Sequence, residues 1–193
     1  MQAVIFTKSV NVIGGVEKVV DIHCKWLQKL KYKVKIITLR KTSYEIYKKI
    51  NYKNISSCKI SYCNSFFSFN LGIDLIKEII GSYKNASVFI VQQPFLNGLF
   101  MLIITSFIMR IKNKKIPETI FYHHAIPSKN VLSRFIYIFL SKICFILNNR
   151  MKLVSSNNSI DNQQFANTLK TQLNIVAIPI PKINREFLKE SHT

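Results

Sequence analysis

Acidic residues are scarce in this chain. Its 193 residues include 9 Asp and Glu against 28 Lys and Arg, which gives a formal net charge of +19 at pH 7. A positive field of this size favours anionic partners such as nucleic acid, anionic lipid surfaces and phosphorylated substrates. The lysines are scattered, as in 25–35 and 109–115, and no dense basic arm is present. We therefore expect no nucleic-acid binding.

Cysteine is limited to four residues, Cys24, Cys58, Cys63 and Cys144. Cys58 and Cys63 are close in sequence, but no second Cys or His pair completes the spacing of a zinc site. We expect no metal site. Cys24 and Cys144 lie in apolar helical patterns, where a free Cys behaves as a small buried hydrophobic residue. This usage is typical of a reduced, cytoplasmic setting.

The chain also lacks a hydrophobic run of the ~20 residues that a helix needs to cross a bilayer. The most apolar stretch, 95–109, contains Asn97 and Gly98, and a second, 135–147, is interrupted by Lys142. We expect both to be helices that are either buried or in contact with a membrane face. The opening run AVIF is too short for a signal peptide. These features predict a cytoplasmic protein, with peripheral contact at the inner face of the cell membrane.

What is present is an alternation of short apolar runs with helical patterns, typical of right-handed crossovers and a parallel sheet. We predict one α/β, Rossmann-like domain over 1–181, with a mostly parallel sheet, helices on both faces and a polar tail over 182–193. The predicted strands are 3–8, 33–39, 57–63, 87–93, 118–124, 151–156 and 173–180, and the predicted helices are 16–30, 42–50, 72–83, 94–109, 130–148 and 159–169.

Four of the apolar runs are followed by polar, glycine-bearing or histidine-bearing stretches: GGVE, QQP, HHAIP and SSNNS. In open parallel sheets, ligands bind outside the carboxyl ends of the strands. We therefore expect the functional residues to lie in these stretches. The candidates are Gly14, Gly15, Glu17, Gln93, His123, His124 and Ser156.

The two glycines admit two interpretations. Gly14 and Gly15 allow positive φ and close backbone approach, and the helix that they open presents unpaired N–H groups to an anion. Taken alone, the pair is better explained by a tight strand-to-helix turn in which Glu17 complements the helix dipole. It is not a dinucleotide fingerprint, because G-x-G-x-x-G is absent and TLRK, with no acid, ends the second strand.

The wider stretch 14–34, GGVEKVVDIHCKWLQKLKYKV, resembles the first helix of the retaining GT-B glycosyltransferases of the family 4, or group 1, type. In that family a first strand leads to a GGxE turn, an amphipathic helix and a Gly-His-x-Val turn into the second strand. Lys31 and Tyr32 stand where the family has that Gly-His. IFYHHAIPS is similar to the family's strand that ends in a cleft histidine. MKLVSSNNSIDNQQF is similar to the strand, serine and helix that follow.

The resemblance implies a function and roles for the candidates. In such enzymes the N-terminal domain holds the acceptor, the glycine turn faces the phosphates of the nucleotide-sugar donor, and the cleft histidine contacts the transferred sugar. His124, directly before Ala125, is the favoured catalytic residue and His123 the alternative. Gly14, Gly15, Glu17, Gln93 and Ser156 are then expected to bind substrate. The nucleotide sugar is a substrate, and no metal or other cofactor is implied.

The family also has a second domain that binds the nucleotide sugar through basic residues and paired glutamates. No such pair is found before Thr193. We expect the chain to be the acceptor-binding half of an enzyme for surface polysaccharide or lipopolysaccharide, as a fragment, a frameshifted product or a split-enzyme subunit. Alone it should not transfer sugar efficiently. The alternative is a non-catalytic, basic peripheral membrane module that recruits a separate donor-binding subunit.

Overall fold

The structure is a computed structural model that describes residues 1–8, 10, 15–39, 52–63, 73–92, 96–112, 114–123, 131–155 and 159–175. Within these ranges the chain forms seven strands and six helices. The strands are β1 (Gln2–Thr7), β2 (Lys33–Leu39), β3 (Lys59–Cys63), β4 (Val88–Gln92), β5 (Glu118–His123), β6 (Met151–Ser155) and β7 (Leu173–Ile175). The helices are α1 (Gly15–Lys29), α2 (Lys53–Ser56), α3 (Ile73–Asn85), α4 (Leu96–Ile111), α5 (Val131–Leu147) and α6 (Ile160–Leu169).

The strands form one sheet in the order β3-β2-β1-β4-β5-β6-β7. Every pairing is parallel. This confirms the predicted α/β, Rossmann-like fold. The strand order reverses at β1, which lies between β2 and β4, so the topological switch point lies between the carboxyl ends of β1 and β4.

Helices cover the sheet unequally. On one face, α1 and α2 pack over Ala3, Ile5 and Ile36, with Val20, Cys24 and Ile55 as their buried contacts. On the other face, α3, α4, α5 and α6 build the larger core over the alternate strand residues, which include Val4, Phe6, Phe89, Phe121 and Leu153. The near-continuous apolar strands follow from this arrangement, because both faces of a parallel sheet are buried.

The predicted elements agree with the structure to within a few residues, with two differences. The structure has a short helix, α2, which the sequence analysis did not predict. Leu30, the last residue of the predicted first helix, lies beyond the end of α1 at Lys29 and is 52% exposed. The predicted helix over 42–50 and the domain end at 181 lie outside the described residues.

Candidate functional site at the carboxyl edge of the sheet

Because all seven strands are parallel, their carboxyl ends lie along one edge of the sheet. Five polar side chains occupy the last or next-to-last positions of strands at this edge, and all are fully buried: Thr7, Thr38, Gln92, His123 and Ser155. The strands that carry them are otherwise mostly apolar. A buried polar row on the ligand-binding edge of such a sheet is the structural feature that best defines a candidate site.

The row divides between the two faces of the sheet. Thr7 is paired in register with Thr38, and Gln92 with Tyr122. Since Ile5 is paired with Ile90, Thr7 and Gln92 also share a face. Ile5 packs under α1, so Thr7, Thr38 and Gln92 lie on the α1 side of the sheet, at the switch point. Thr7 and Thr38 were not among the predicted site residues, although a threonine at the end of an apolar strand is a sequence signal for such a position.

Helix α1 begins beside this switch point. Gly15 is its first residue and is exposed, and a Cβ added there would meet no atom of the described residues within 4 Å. Gly15 therefore requires neither a positive φ nor close contact with the described residues. Glu17, in the first turn of α1, is 8% exposed. A carboxylate in this turn stabilises the helix through its dipole.

His123 lies on the opposite face, at the end of β5. Its Nδ1 atom is 3.2 Å from the hydroxyl oxygen of Tyr137 on α5. Its ring stacks on that of Phe165 on α6, with a centroid distance of 4.3 Å. Burial raises the pKa of the Tyr137 phenol, so this partner stays neutral. In this environment His123 joins a strand to two helices and acts as a core residue.

Ser155 organises the end of β6. It is paired in register with His123, and its hydroxyl oxygen accepts a hydrogen bond from Asn162 Nδ2 at 2.7 Å. Ser159 caps the N-terminus of α6, because its hydroxyl accepts from the backbone N–H of Asn162. The predicted start of this helix is confirmed. The two bonds to Asn162 join the first turn of α6 to the end of β6.

Four of the predicted site residues, Gly14, Gln93, His124 and Ser156, lie outside the described residues. Each is a direct sequence neighbour of a described candidate or edge residue: Gly15, Gln92, His123 and Ser155. The structure thus brings the ends of β1, β4, β5 and β6 to one edge, as predicted. In the described part of the chain no group of three or more His, Cys, Asp or Glu could hold a metal ion.

A second surface feature lies on α5. Its buried side carries Tyr137, Leu140, Ser141 and Cys144. Its other side carries a stripe of exposed residues at the spacing of one helix face, here called the α5 stripe: Leu132, Phe135, Phe139, Lys142 and Ile146. The sequence left core and interfacial roles open for this helix, and the structure shows that it has both a buried and an exposed apolar side.

The α5 stripe continues onto α4, which packs against α5. Phe107 and Ile111 are 55% and 66% exposed, and Arg110 Nη2 donates to the carbonyl oxygen of Ile146 at 3.1 Å. Neither helix contains an acidic residue. No helix in the described ranges is long and apolar enough to cross a membrane.

No family model matches the chain, and no curated protein does. Among solved structures, the chain is similar to a protein titled "Putative oxidoreductase from Escherichia coli str. K-12", with 10% sequence identity, 91% of this chain and 95% of that chain covered, and a TM-score of 0.47. It is also similar to the cypemycin decarboxylase CypD, with 11% identity, 89% and 80% covered, and a TM-score of 0.34.

Proposed function

We propose that the chain is the acceptor-binding half of a retaining GT-B glycosyltransferase of surface polysaccharide or lipopolysaccharide synthesis. The observation that carries the proposal is the position of α1. Helix α1 begins at Gly15 and follows β1 along the chain, so it begins on the carboxyl side of the parallel sheet, next to the switch point formed by β1 and β4. This is the position in which helix N–H groups bind a phosphate.

The connection from α1 to β2 also supports the proposal. Lys31 stands where the resemblance places a glycine, and its φ is 60°, in the left-handed region that favours glycine. The turn therefore has the conformation that the glycine of the family pattern would suit. Lys31 differs from the glycine of the family pattern, but the backbone of that turn is compatible with the resemblance.

In the proposed mechanism, this half holds a lipid-linked or glycan acceptor at the carboxyl edge. The N–H groups that begin α1 stabilise the phosphates of the departing nucleotide, and a histidine after β5 contacts the transferred sugar. Because His123 is held in the core by Tyr137 and Phe165, we assign the sugar contact to His124. Groups that bind the nucleotide sugar come from a second domain or subunit.

Acceptor binding tests this proposal. A short-chain polyprenyl-diphosphate sugar is titrated into the purified chain and followed by isothermal titration calorimetry. We expect saturable binding that Gln93→Ala, a change at one of the predicted substrate-binding residues, weakens by about tenfold, the effect of losing one hydrogen bond to a charged or polar ligand group. Gln164→Ala, at an exposed position of α6, serves as the matched control. The absence of binding, or an equal loss in both variants, would contradict the proposal.

A second candidate function is favoured by the α5 stripe. We propose as the alternative that the chain is a non-catalytic, basic peripheral membrane module that recruits a separate donor-binding subunit. Exposed Phe135 and Phe139 stack on each other with ring centroids 6.4 Å apart, and Arg134 and Lys142 are exposed beside them. An apolar helix face with basic flanks suits the interface of an anionic bilayer.

Vesicle sedimentation tests the membrane contact. We expect binding to phosphatidylcholine vesicles that contain phosphatidylglycerol, weaker binding to pure phosphatidylcholine, and a further decrease with added salt. The double variant Phe135→Ser/Phe139→Ser should lose most of the binding. Ile160→Ser, which changes a residue that is 73% exposed on α6, is the control. Equal binding of both variants would exclude the α5 stripe as the contact surface.

Activity separates the two candidates. The acceptor-binding half should restore sugar transfer when it is combined with a donor-binding domain or subunit, and His124→Ala should abolish that transfer. A recruiting module should bind the same subunit, and His124→Ala should leave the rate of sugar transfer unchanged.

A further inference from the structure

Two of the four cysteines meet between α1 and α2, on the side of the sheet opposite the larger core. Cys24 is fully buried in the middle of α1, and Cys58, which follows α2, is partly buried. Cys58 packs against the buried cluster to which Cys24 belongs, and its thiol donates a hydrogen bond to the carbonyl oxygen of Asn54 at 3.1 Å. The proximity of Cys58 and Cys63 in sequence is misleading, because Cys63 packs into the core on the other face.

The contacts on either side fix this arrangement. Asp21, Cys24 and Gln28 lie on one face of α1, at positions i, i+3 and i+7. The Asp21 carboxylate accepts hydrogen bonds from Asn54 Nδ2 at 2.7 Å and from the Asn54 backbone N–H at 2.9 Å. Gln28 Nε2 donates to Ser57 Oγ at 2.9 Å and lies 3.4 Å from Cys58 Sγ. Cys24 is therefore held between two fixed contacts, facing Cys58.

The surroundings also favour the reactive form of Cys58. The hydrogen bond from Cys24 lowers the pKa of Cys58, burial opposes this, and hydrogen bonds from Ser57 and Gln28 lower it further. The nearby Asp21 carboxylate acts in the opposite direction but does not reverse the shift. The interaction with Cys58, and after it burial, raise the pKa of Cys24. One thiol of the pair is thus the better nucleophile, and the other stays protonated.

We propose that Cys58 and Cys24 are a thiol pair that hydrogen peroxide oxidises to a disulfide, with Cys58 reacting first and Cys24 resolving the intermediate. The Cys58 thiolate attacks one peroxide oxygen, the O–O bond breaks, and Cys58 sulfenic acid and hydroxide form. The Cys24 sulfur then attacks the sulfenic sulfur, and the sulfenic hydroxyl leaves as water with the proton of the Cys24 thiol. The hydroxide takes the proton that Cys58 lost when it ionised, which gives the second water. In total, two thiols and one peroxide give one disulfide and two waters. This inference does not depend on the proposed function.

Peptide mapping tests the pair, since trypsin places each cysteine in a separate peptide: 19–25, 54–59, 60–77 and 143–150. The reduced, full chain is treated with hydrogen peroxide at equimolar concentration, alkylated and digested without reductant. We expect peptides 19–25 and 54–59 joined by a disulfide, and a chain lighter by about 2 Da, the mass of two hydrogen atoms. A different disulfide, or oxidation spread equally over the four cysteines, would overturn the proposal.

Variants assign the order of reaction. Cys24→Ser should leave a sulfenic acid on Cys58 that dimedone traps, because the resolving thiol is absent. Cys58→Ser should leave Cys24 unoxidised, since that thiol is buried and protonated. Cys144→Ser is the matched control and should form the disulfide as the parent chain does. Circular dichroism of each variant shows that it is folded, and dimedone labelling of Cys24 in place of Cys58 would overturn the assigned order.

Discussion

Lys35 Nζ lies 2.6 Å from Glu78 Oε1 and joins the second strand of the sheet to α3. Lys35 also donates to Ser82 Oγ at 3.1 Å. The side chains of Lys35 and Glu78 are 15% and 30% exposed, so the pair is partly shielded from water. Burial opposes ionisation of Glu78, but hydrogen bonds from Lys35 and Ser61 outweigh it and lower the pKa of the carboxyl group.

This shift gives the pair a defined pH dependence. Because the pKa of Glu78 is lower in the folded state, the pair contributes stability above the unfolded pKa, about 4.3 for Glu. This contribution is lost as the pH falls through the folded pKa. We expect Glu78→Gln to lower the free energy of unfolding at pH 7 by up to about 1 kcal/mol. The difference from the parent chain should shrink below about pH 4 in urea titrations.

Glu118→Gln provides the control for this prediction. Glu118 pairs with Lys152, but these side chains are 39% and 61% exposed, and exposed ion pairs contribute little. A difference between the parent chain and Glu78→Gln that grows on acidification would show that the Lys35 contact does not favour the ionised carboxylate.

His123 should matter for stability more than a surface histidine does. We expect His123→Ala to lower the free energy of unfolding by about 2–4 kcal/mol, because it removes a fully buried ring packed on Phe165 and Tyr137. His23→Ala is the comparison, since His23 is only half-buried and contacts Tyr122 edge-on at 5.0 Å. Thermal and urea unfolding measure both. Equal, small losses would place the His123 side chain outside the core.

His123 illustrates which parts of the candidate site could be predicted from the sequence. Apolar runs and their polar ends located the strands, their common edge and most of the residues near it. The choice between His123 and His124 was not decidable from the pattern, because two adjacent histidines satisfy the same strand-end signal. The structure places only His123, which Tyr137 and Phe165, residues distant in sequence, hold in the core. His124 lies outside the described residues.

Two other features were not predictable for similar reasons. Helix α2 has only four residues, too few for a helical period to appear, and it is held by the Asp21 carboxylate of a distant helix. Likewise, Cys24 and Cys58 meet because α1 packs on α2. Sequence spacing favoured Cys63 as the neighbour of Cys58, whereas tertiary packing selects Cys24.

The edge of the sheet at β6 depends on Asn162. We expect Asn162→Ala to lower the free energy of unfolding by about 1–3 kcal/mol, because Asn162 is 1% exposed and donates to Ser155 Oγ inside the protein. Thr168→Ala, on the exposed side of the same helix, should change it by less than about 0.5 kcal/mol. Chemical unfolding distinguishes the two, and an equal effect would show that the Ser155 contact contributes nothing specific.

The left-handed residue after α1 offers a stabilising substitution. Lys31 has a φ of 60°, a conformation that costs a residue with a Cβ roughly 1 kcal/mol relative to glycine. We expect Lys31→Gly to raise the free energy of unfolding by up to about 1 kcal/mol, reduced by the greater freedom of glycine in the unfolded chain. Lys170, at the C-cap of α6 with a φ of 52°, should respond in the same direction.

Lys25→Gly is the matched control, because Lys25 lies inside α1 and is exposed. Glycine there should lower the free energy of unfolding by about 1 kcal/mol, the cost of glycine in a helix interior. Opposite signs for Lys31→Gly and Lys25→Gly in urea unfolding would establish that the turn after α1 has a glycine-like backbone. If both variants were destabilised equally, the turn after α1 would no longer support the family resemblance.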